Sequence, residues 1–263
     1  MFTKKMVIIL YTVFFVGIVL ISTVFAFSVS KIDTEITFIS EDNGRSISVD
    51  DKLSSFLGKN LLFLDTENIK ESLISDPYID CISVEKSYPD TVKVVAKERR
   101  ETYLINFDDE TYIADENGFI LRKYDGEKKR EHITLVLSGL EVEKPVVGSN
   151  IKTDYDDSVK NAFEIAKSVD LTDKIDKMTV KKEFGGNLTA FNVEFLTYTN
   201  VTIKITKSDD DGVNKALAAF DAYDFKTTDY EKSFYSIEAI KLDSGAIRVT
   251  WTRGGEIIRE TQI

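Results

Sequence analysis

Histidine and cysteine, which can act as catalytic base, nucleophile or zinc ligand, occur once each in this sequence, as His132 and Cys81. A Ser-His-Asp or Cys-His relay needs a histidine base beside a nucleophile. His132 instead opens a strand-like apolar run, with no serine or cysteine motif near it. A catalytic zinc needs more nitrogen and sulfur ligands than these two residues supply. We therefore predict that His132 is structural and that Cys81, which alternates with apolar neighbours, is a small buried hydrophobic residue.

Acidic clusters are the remaining candidates for ligand chemistry. Residues 208–212 (SDDDG) lack the alternating oxygen ligands and the distal glutamate of an EF-hand loop. They directly precede a helical apolar pattern, as Asp154, Asp156 and Asp157 do, and acids favour a helix N-terminus. The sequence contains neither GxxxxGK[ST] nor GxGxxG. We predict no catalytic residue, metal site or cofactor, although a glycosidase that uses only carboxylates stays open as an alternative.

The composition narrows the class of protein further. The chain has 263 residues and a formal net charge of −11, which argues against binding to the phosphates of a nucleic acid. Its apolar content is that of an ordinary globular protein, and its length suits one large or two modest domains. A single cysteine excludes an internal disulfide.

An unbroken apolar run occupies residues 6–27 (MVIILYTVFFVGIVLISTVFAF) and contains no charged residue. About 22 residues at ~1.5 Å each reach the ~30 Å thickness of a hydrocarbon core. Lys4 and Lys5 favour the cytoplasmic side. We therefore predict a cytoplasmic tail at residues 1–5, a transmembrane helix at 6–27, and a chain whose bulk lies outside the cytoplasm. The alternative is a cleaved signal peptide, but its apolar region is only ~7–15 residues long.

Residues 32–100 predict a small α+β unit in the order strand, helix, helix, strand, strand. Ser48 suits the start of the first helix and Gly58 its end. The second helix must stop before Pro77, and Pro89 lies in the turn between the last two strands. Alternating apolar residues in the final strand predict that one of its faces is buried.

Residues 101–251 change to short strands separated by turn signals, together with two helical patterns. The sequence predicts a second, mixed α+β domain with an extended antiparallel-type sheet, whose last strand covers residues 246–251. The pair Gly254-Gly255 predicts a turn. Residues 252–263 are predicted to be a polar C-terminal tail.

Several short motifs together resemble a known family. They are residues 58–65 (GKNLLFLD), 77–79 (PYI), 89–94 (PDTVKV), 98–99 (ER), 113–120 (IADENGFI) and 240–246 (IKLDSGA), followed by Trp251. Their order, behind an N-terminal apolar run, is similar to that of the bacterial cell division proteins FtsQ and DivIB. The resemblance implies a POTRA domain at residues 32–100 and an FtsQ/DivIB-type β domain at residues 101–251.

The resemblance also implies a function without catalysis. Such a protein is a membrane scaffold at the division septum, which joins FtsL-like and FtsB/DivIC-like coiled-coil partners and connects them to the septal peptidoglycan synthase. The rival interpretation is a membrane-anchored extracellular domain that binds a ligand or acts on the cell wall.

The resemblance further implies that the partner contact is strand addition at the last strand of the larger domain. An exposed sheet edge offers a row of unpaired backbone groups that a partner segment can complete. Arg248 and Trp251 are the expected anchors, because arginine and tryptophan are frequent in binding hot spots. The full predicted contact set is Ala246, Ile247, Arg248, Val249, Thr250 and Trp251.

Overall fold

The computed structural model describes residues 4–38, 43–126, 128–169, 171, 174–185, 188–224 and 235–262. The chain divides into two compact units, Met1–Arg99 and Arg100–Ile263. Together they form a mixed α+β fold, as the sequence predicts.

The first unit has the predicted order of strands and helices. Its elements are α1 (Lys4–Ala26), β1 (Lys31–Thr37), α2 (Asn43–Ser54), α3 (Thr66–Ile74), β2 (Ile79–Ser87) and β3 (Thr91–Glu98). The sheet order is β1-β3-β2, with β1 parallel to β3 and β2 antiparallel to it. Strands β1 and β3 can be parallel neighbours because a long connection, made of α2, α3 and β2, separates them in the chain.

Local chemistry explains the shape of this unit. The Asp65 side chain accepts a hydrogen bond from the backbone N–H of Glu67 at 3.0 Å and so caps α3. The helix buries Ile69 and Leu73 and ends shortly before Pro77. These residues belong to a core whose buried members are Val29, Val49, Leu53, Phe56, Leu61, Leu64, Ile69, Leu73, Ile79, Cys81, Val92, Val94 and Ala96.

The predicted membrane span at residues 6–27 is not confirmed. A helix that crosses a bilayer must be both long and strongly apolar. Across the described ranges of the chain, no helix meets that requirement.

The second unit is built on one large sheet. Its elements are β4 (Tyr103–Phe107), β5 (Glu110–Ala114), β6 (Ile120–Tyr124), β7 (Ile133–Ser138), α4 (Asp156–Lys167), β8 (Ile175–Gly185), β9 (Leu188–Thr197), β10 (Thr202–Ile205), α5 (Gly212–Asp224), β11 (Ser236–Lys241), β12 (Ile247–Arg253) and β13 (Glu256–Gln262). The ten strands follow the order β13-β12-β11-β10-β9-β8-β7-β4-β5-β6.

The prediction of an antiparallel-type sheet is wrong in part, because the sheet is mixed. Strand β7 is parallel to both β4 and β8, and β10 is parallel to β11. Two of these three parallel pairs have a helix between their strands: α4 connects β7 to β8, and α5 connects β10 to β11. Such a crossover brings the chain back to the same end of the sheet, so the next strand runs in the same direction.

The helices cover one face of this sheet. Alternate residues of the strands, among them Ile203, Val249 and Trp251, share a buried cluster with Phe163 and Phe220 of the two helices. The Tyr103 and Phe163 rings are 5.3 Å apart, which fixes α4 over β4. The intervening strand residues are mostly polar, so the sheet has one apolar face and one mainly polar face.

We predict that Gly118→Ala destabilises the protein more than Gly245→Ala. Both glycines have left-handed φ values, +78° and +87°, where an L residue costs ~1–2 kcal/mol. A Cβ at Gly118 would also lie 2.4 Å from Phe163 Cε2, whereas nothing lies within 4 Å of a Cβ at Gly245. Overpacking adds ~1–3 kcal/mol. Urea unfolding of both variants measures the difference, and equal losses of stability would contradict the packing around Gly118.

Candidate protein-interaction edge

His132 occupies a structural position. It is 1% exposed, its Nε2 lies 3.3 Å from Glu101 Oε2, and its ring meets Tyr124 edge-on at 5.7 Å. The Glu101 carboxylate also accepts a hydrogen bond from Arg122 Nε at 2.9 Å. The imidazole therefore helps to join the segment before β4 to β6 and the loop before β7. This agrees with the prediction of a structural histidine.

Cys81 and Asp210, two other candidates for chemistry, also have structural contacts. Cys81 is buried in the core of the first unit, and burial raises the pKa of its thiol. Asp210, just before α5, pairs with Lys241 at 3.0 Å, and this contact lowers the pKa of its carboxyl group. Among the described residues, no cluster of three or more histidines, cysteines and acids is arranged to hold a metal ion.

The predicted sheet edge at residues 246–251 is wrong. Strand β12 pairs on one side with β11 and on the other with β13, so neither of its sides is open. Residues 252–262, predicted to be a tail, complete β12 and form β13. Within the described part of the chain, β13 is the terminal strand at this end of the sheet.

A tight hairpin produces this arrangement. Gly254 and Gly255 connect β12 to β13 with φ values of +60° and +88°, a backbone conformation that glycine adopts without steric cost. The pairing shifts register after Trp251, because Trp251 faces Arg259 and Thr252 faces Ile257. Ile258 is thus an extra residue in β13, and such a bulge increases the local twist of the edge.

The predicted contact residues lie on two different faces of β12. Ile247, Val249 and Trp251 are buried in the core beneath α5. Arg248 and Thr250 alternate with them and are half-buried on the opposite face, while Ala246 precedes the strand. Trp251 meets the Tyr235 ring at 5.6 Å, so this predicted anchor is part of the core.

Strand β13 is far more exposed than its neighbour. Ile257 and Ile258 are 65% and 51% exposed, although both are large apolar residues. On the helix face, Arg259 and Thr261 line a small cavity of about 70 Å³ together with Ala218, Val249 and Trp251. The end of the sheet therefore combines a one-sided strand, two exposed isoleucines and a shallow apolar depression.

The opposite end of the sheet is less open. At β6, the Ile120 N–H donates to the Ser149 carbonyl at 2.8 Å, and the Ile120 carbonyl accepts from Gly148 at 2.9 Å. A loop thus covers the beginning of that strand. Natural sheets commonly protect an edge in this way. The outer side of β13 is the better candidate for an intermolecular contact.

One sequence signal could have identified β13. A Gly-Gly pair between two runs with strand propensity is a two-residue hairpin signal. Gly254-Gly255 follows the clear strand at residues 247–253 and precedes EIIRETQ. The charges in that second run conceal its strand character, because an exposed edge strand does not need an apolar face.

The comparisons with known proteins agree with this architecture. Residues 45–99 match the family model described as "POTRA domain, FtsQ-type". The protein named Cell division protein DivIB of Clostridium acetobutylicum is 29% identical over 98 residues, which is 37% of this chain and 38% of that protein. Its counterpart of the same name in Clostridium tetani is 27% identical over 164 residues, 60% of this chain and 56% of that protein. The matches confirm the family resemblance, and each covers less than two thirds of the relative's length.

We predict that Trp251→Ala destabilises the second unit. The side chain is 3% exposed and packs in the core against Tyr235 and the strands below α5. Truncation of a buried aromatic residue costs ~3–5 kcal/mol. Thermal or urea unfolding measures the loss, with Ile257→Ala on the exposed strand as the control. A Trp251 variant as stable as the control would contradict the burial of this ring.

Proposed function

We propose, from the similarity of this chain to the FtsQ/DivIB family of cell division proteins, that it is a non-enzymatic assembly protein. In this proposal a partner segment adds a strand to the outer side of β13. The observation that carries it is the one-sided pairing of β13 at the end of a ten-stranded sheet. The burial of His132 and Cys81 in structural contacts supports a role without catalysis.

Backbone pairing would provide the affinity. β13 spans seven residues and contains neither lysine nor proline, two residues that natural sheets use to blunt an edge. A partner strand can therefore form a ladder of main-chain hydrogen bonds with it. The bulge at Ile258 and the charges of Glu256, Arg259 and Glu260 restrict which segments fit. These features favour a selective contact over general aggregation.

Side chains around β13 would provide specificity. Ile257 and Ile258 offer apolar surface that is otherwise exposed to water. The cavity beside Trp251 can receive a small apolar side chain from the partner, with Arg259 at its rim. Arg248 and Thr250 of the predicted contact set lie one strand further in, half-buried on the mainly polar face of the sheet. They can contact a partner that extends over that face.

The partners in this proposal are FtsL-like and FtsB/DivIC-like coiled-coil proteins. Through them the chain would be connected to the septal peptidoglycan synthase and concentrated at the division septum. The support for a role in division is the FtsQ-type POTRA match and the similarity to proteins named Cell division protein DivIB.

We predict that the double variant Ile257→Asp, Ile258→Asp binds a DivIC-like partner at least about tenfold more weakly, because a loss of ~1.4 kcal/mol corresponds to that factor. Two buried charges at the new interface would cost more than this unless they were paired. Calorimetric titration of the chain with the extracytoplasmic region of the partner from the same organism measures the affinity.

A matched control is the double variant Val146→Asp, Val147→Asp. These two adjacent apolar residues are also exposed, but they lie in the loop before α4. Both double variants should unfold at wild-type urea concentrations, because exposed substitutions usually change stability by less than ~0.5 kcal/mol. Wild-type affinity in the β13 variant, or an equal loss in the control, would exclude this edge as the binding site.

A further inference from the structure

Three separate segments meet at one end of the first unit. Residues 27–30, which directly follow α1, lie between residues 58–61 and residues 88–90. On one side, the Val29 N–H donates to the Lys59 carbonyl at 2.8 Å and the Leu61 N–H donates to the Phe27 carbonyl at 2.6 Å. On the other side, the Ser30 N–H donates to the Asp90 carbonyl at 2.9 Å. Backbone hydrogen bonds therefore hold the segment after α1 between two loops.

Large apolar side chains project from this end into solvent. Phe63 is 83% exposed and Tyr88 is 58% exposed, and Leu57 and Leu62 are also exposed. Tyr88 meets Phe27 edge-on at 5.9 Å, so the aromatic residues lie at the entry point of the chain. We call Leu57, Leu62, Phe63 and Tyr88 the loop-end patch. Four such side chains near one another exceed the scattered exposure that is normal for a protein surface.

Two lysines lie beside the loop-end patch. Lys59 lies over the Phe56 ring at 4.3 Å, and Lys86 Nζ donates to the Leu62 carbonyl at 3.3 Å. Lys31 is paired with Asp33 at 2.5 Å, and Asp90 accepts a hydrogen bond from Ser30. With Asp65, two residues after Phe63, the three lysines and three aspartates of this end balance, whereas the whole chain carries −11.

We propose that the loop-end patch rests on an anionic lipid surface. Aromatic and aliphatic side chains with lysines beside them suit the boundary between head groups and acyl chains, where rings insert and ammonium groups reach lipid phosphates. The apolar side chains of α1 that are described are exposed as well, and α1 ends one residue before Phe27. A lipid surface therefore suits both α1 and the adjacent loop-end patch. The proposal concerns the loops of the first unit and does not require α1 to cross a bilayer.

The test places a tryptophan in the loop-end patch or at the opposite end of the unit. Phe63→Trp marks the patch, and Ile74→Trp is the matched control. Ile74 is the last residue of α3, and the hydrogen bond from the Ile79 N–H to the Asp76 carbonyl places this region at the start of β2. Strand β2 then runs nine residues toward the turn at Tyr88, a length of about 30 Å at ~3.3 Å per residue.

The full-length chain is mixed with vesicles of phosphatidylcholine and phosphatidylglycerol, with or without bromine on the acyl chains. Bromine quenches tryptophan only at short range, and interfacial groups lie ~5–10 Å into the head-group boundary. We expect roughly twofold greater quenching for Phe63→Trp than for Ile74→Trp. Buried Trp251 supplies a constant background that is measured on the unsubstituted chain.

A second arm tests the charge. Lys59→Glu with Lys86→Glu, added to Phe63→Trp, should abolish the preference for anionic over neutral vesicles. Equal quenching at positions 63 and 74 would overturn the proposal, as would an unchanged lipid preference in the lysine variant. Shielding of position 63 only on addition of a protein partner, and not by vesicles, would also overturn it in favour of a protein occupant.

Discussion

The second unit depends on one constraint: the backbone groups of a buried sheet must be hydrogen-bonded. Nine strand pairings satisfy this requirement along the ten-strand order. Within the described residues, β6 and β13 are the strands of this sheet with a neighbouring strand on one side only. The covering loop at Gly148–Ser149 satisfies part of β6. Strand β13 retains an outer side whose groups are left to water or to another chain.

The need for backbone hydrogen bonds also explains why β13 is exposed and yet pairs along its length with β12. An edge strand needs only one neighbour, so it can carry polar residues on both faces without a cost in buried charge. Because β13 pairs with β12, Val249 and Trp251 of β12 lie inside the sheet and not on its edge strand. A strand of this kind stabilises the core beneath it while presenting main-chain groups outward. In the proposed function, structural support and partner recognition use opposite sides of this one strand.

In the first unit the limiting factor is size. A small sheet with two helices can bury only a modest core, and its loops must leave some apolar residues outside. Phe56 and Leu61 are buried, whereas their close neighbours Leu57, Leu62 and Phe63 are exposed. The segment after α1 is tied between loops at the same end. Exposed apolar groups are thus concentrated where the chain enters the unit.

Much of the local structure followed from the sequence alone. The period of apolar residues identified α3 and β3, and Pro77 identified where α3 ends. The bounds predicted from Ser48 and Gly58 were wrong, because α2 covers Asn43–Ser54. These features were predictable because capping, steric restriction and side-chain period act over a few residues. The motif order around residues 58–99 also identified the family resemblance, which the POTRA match at residues 45–99 confirms.

Tertiary structure alone decided which strands became neighbours. Residues 246–251 have the same strand pattern whether they lie at an edge or inside a sheet, because side-chain alternation does not encode the partner on either side. Gly254-Gly255 signals a hairpin, but the charges of the following run hide its strand character. Its pairing with β12 moves the edge outward by one strand. The burial of Trp251 likewise depends on α5 and Tyr235. Both are separated from Trp251 in the sequence, and folding brings them close to it. Edge position is a property of the assembled sheet, and residue type along one strand does not determine it.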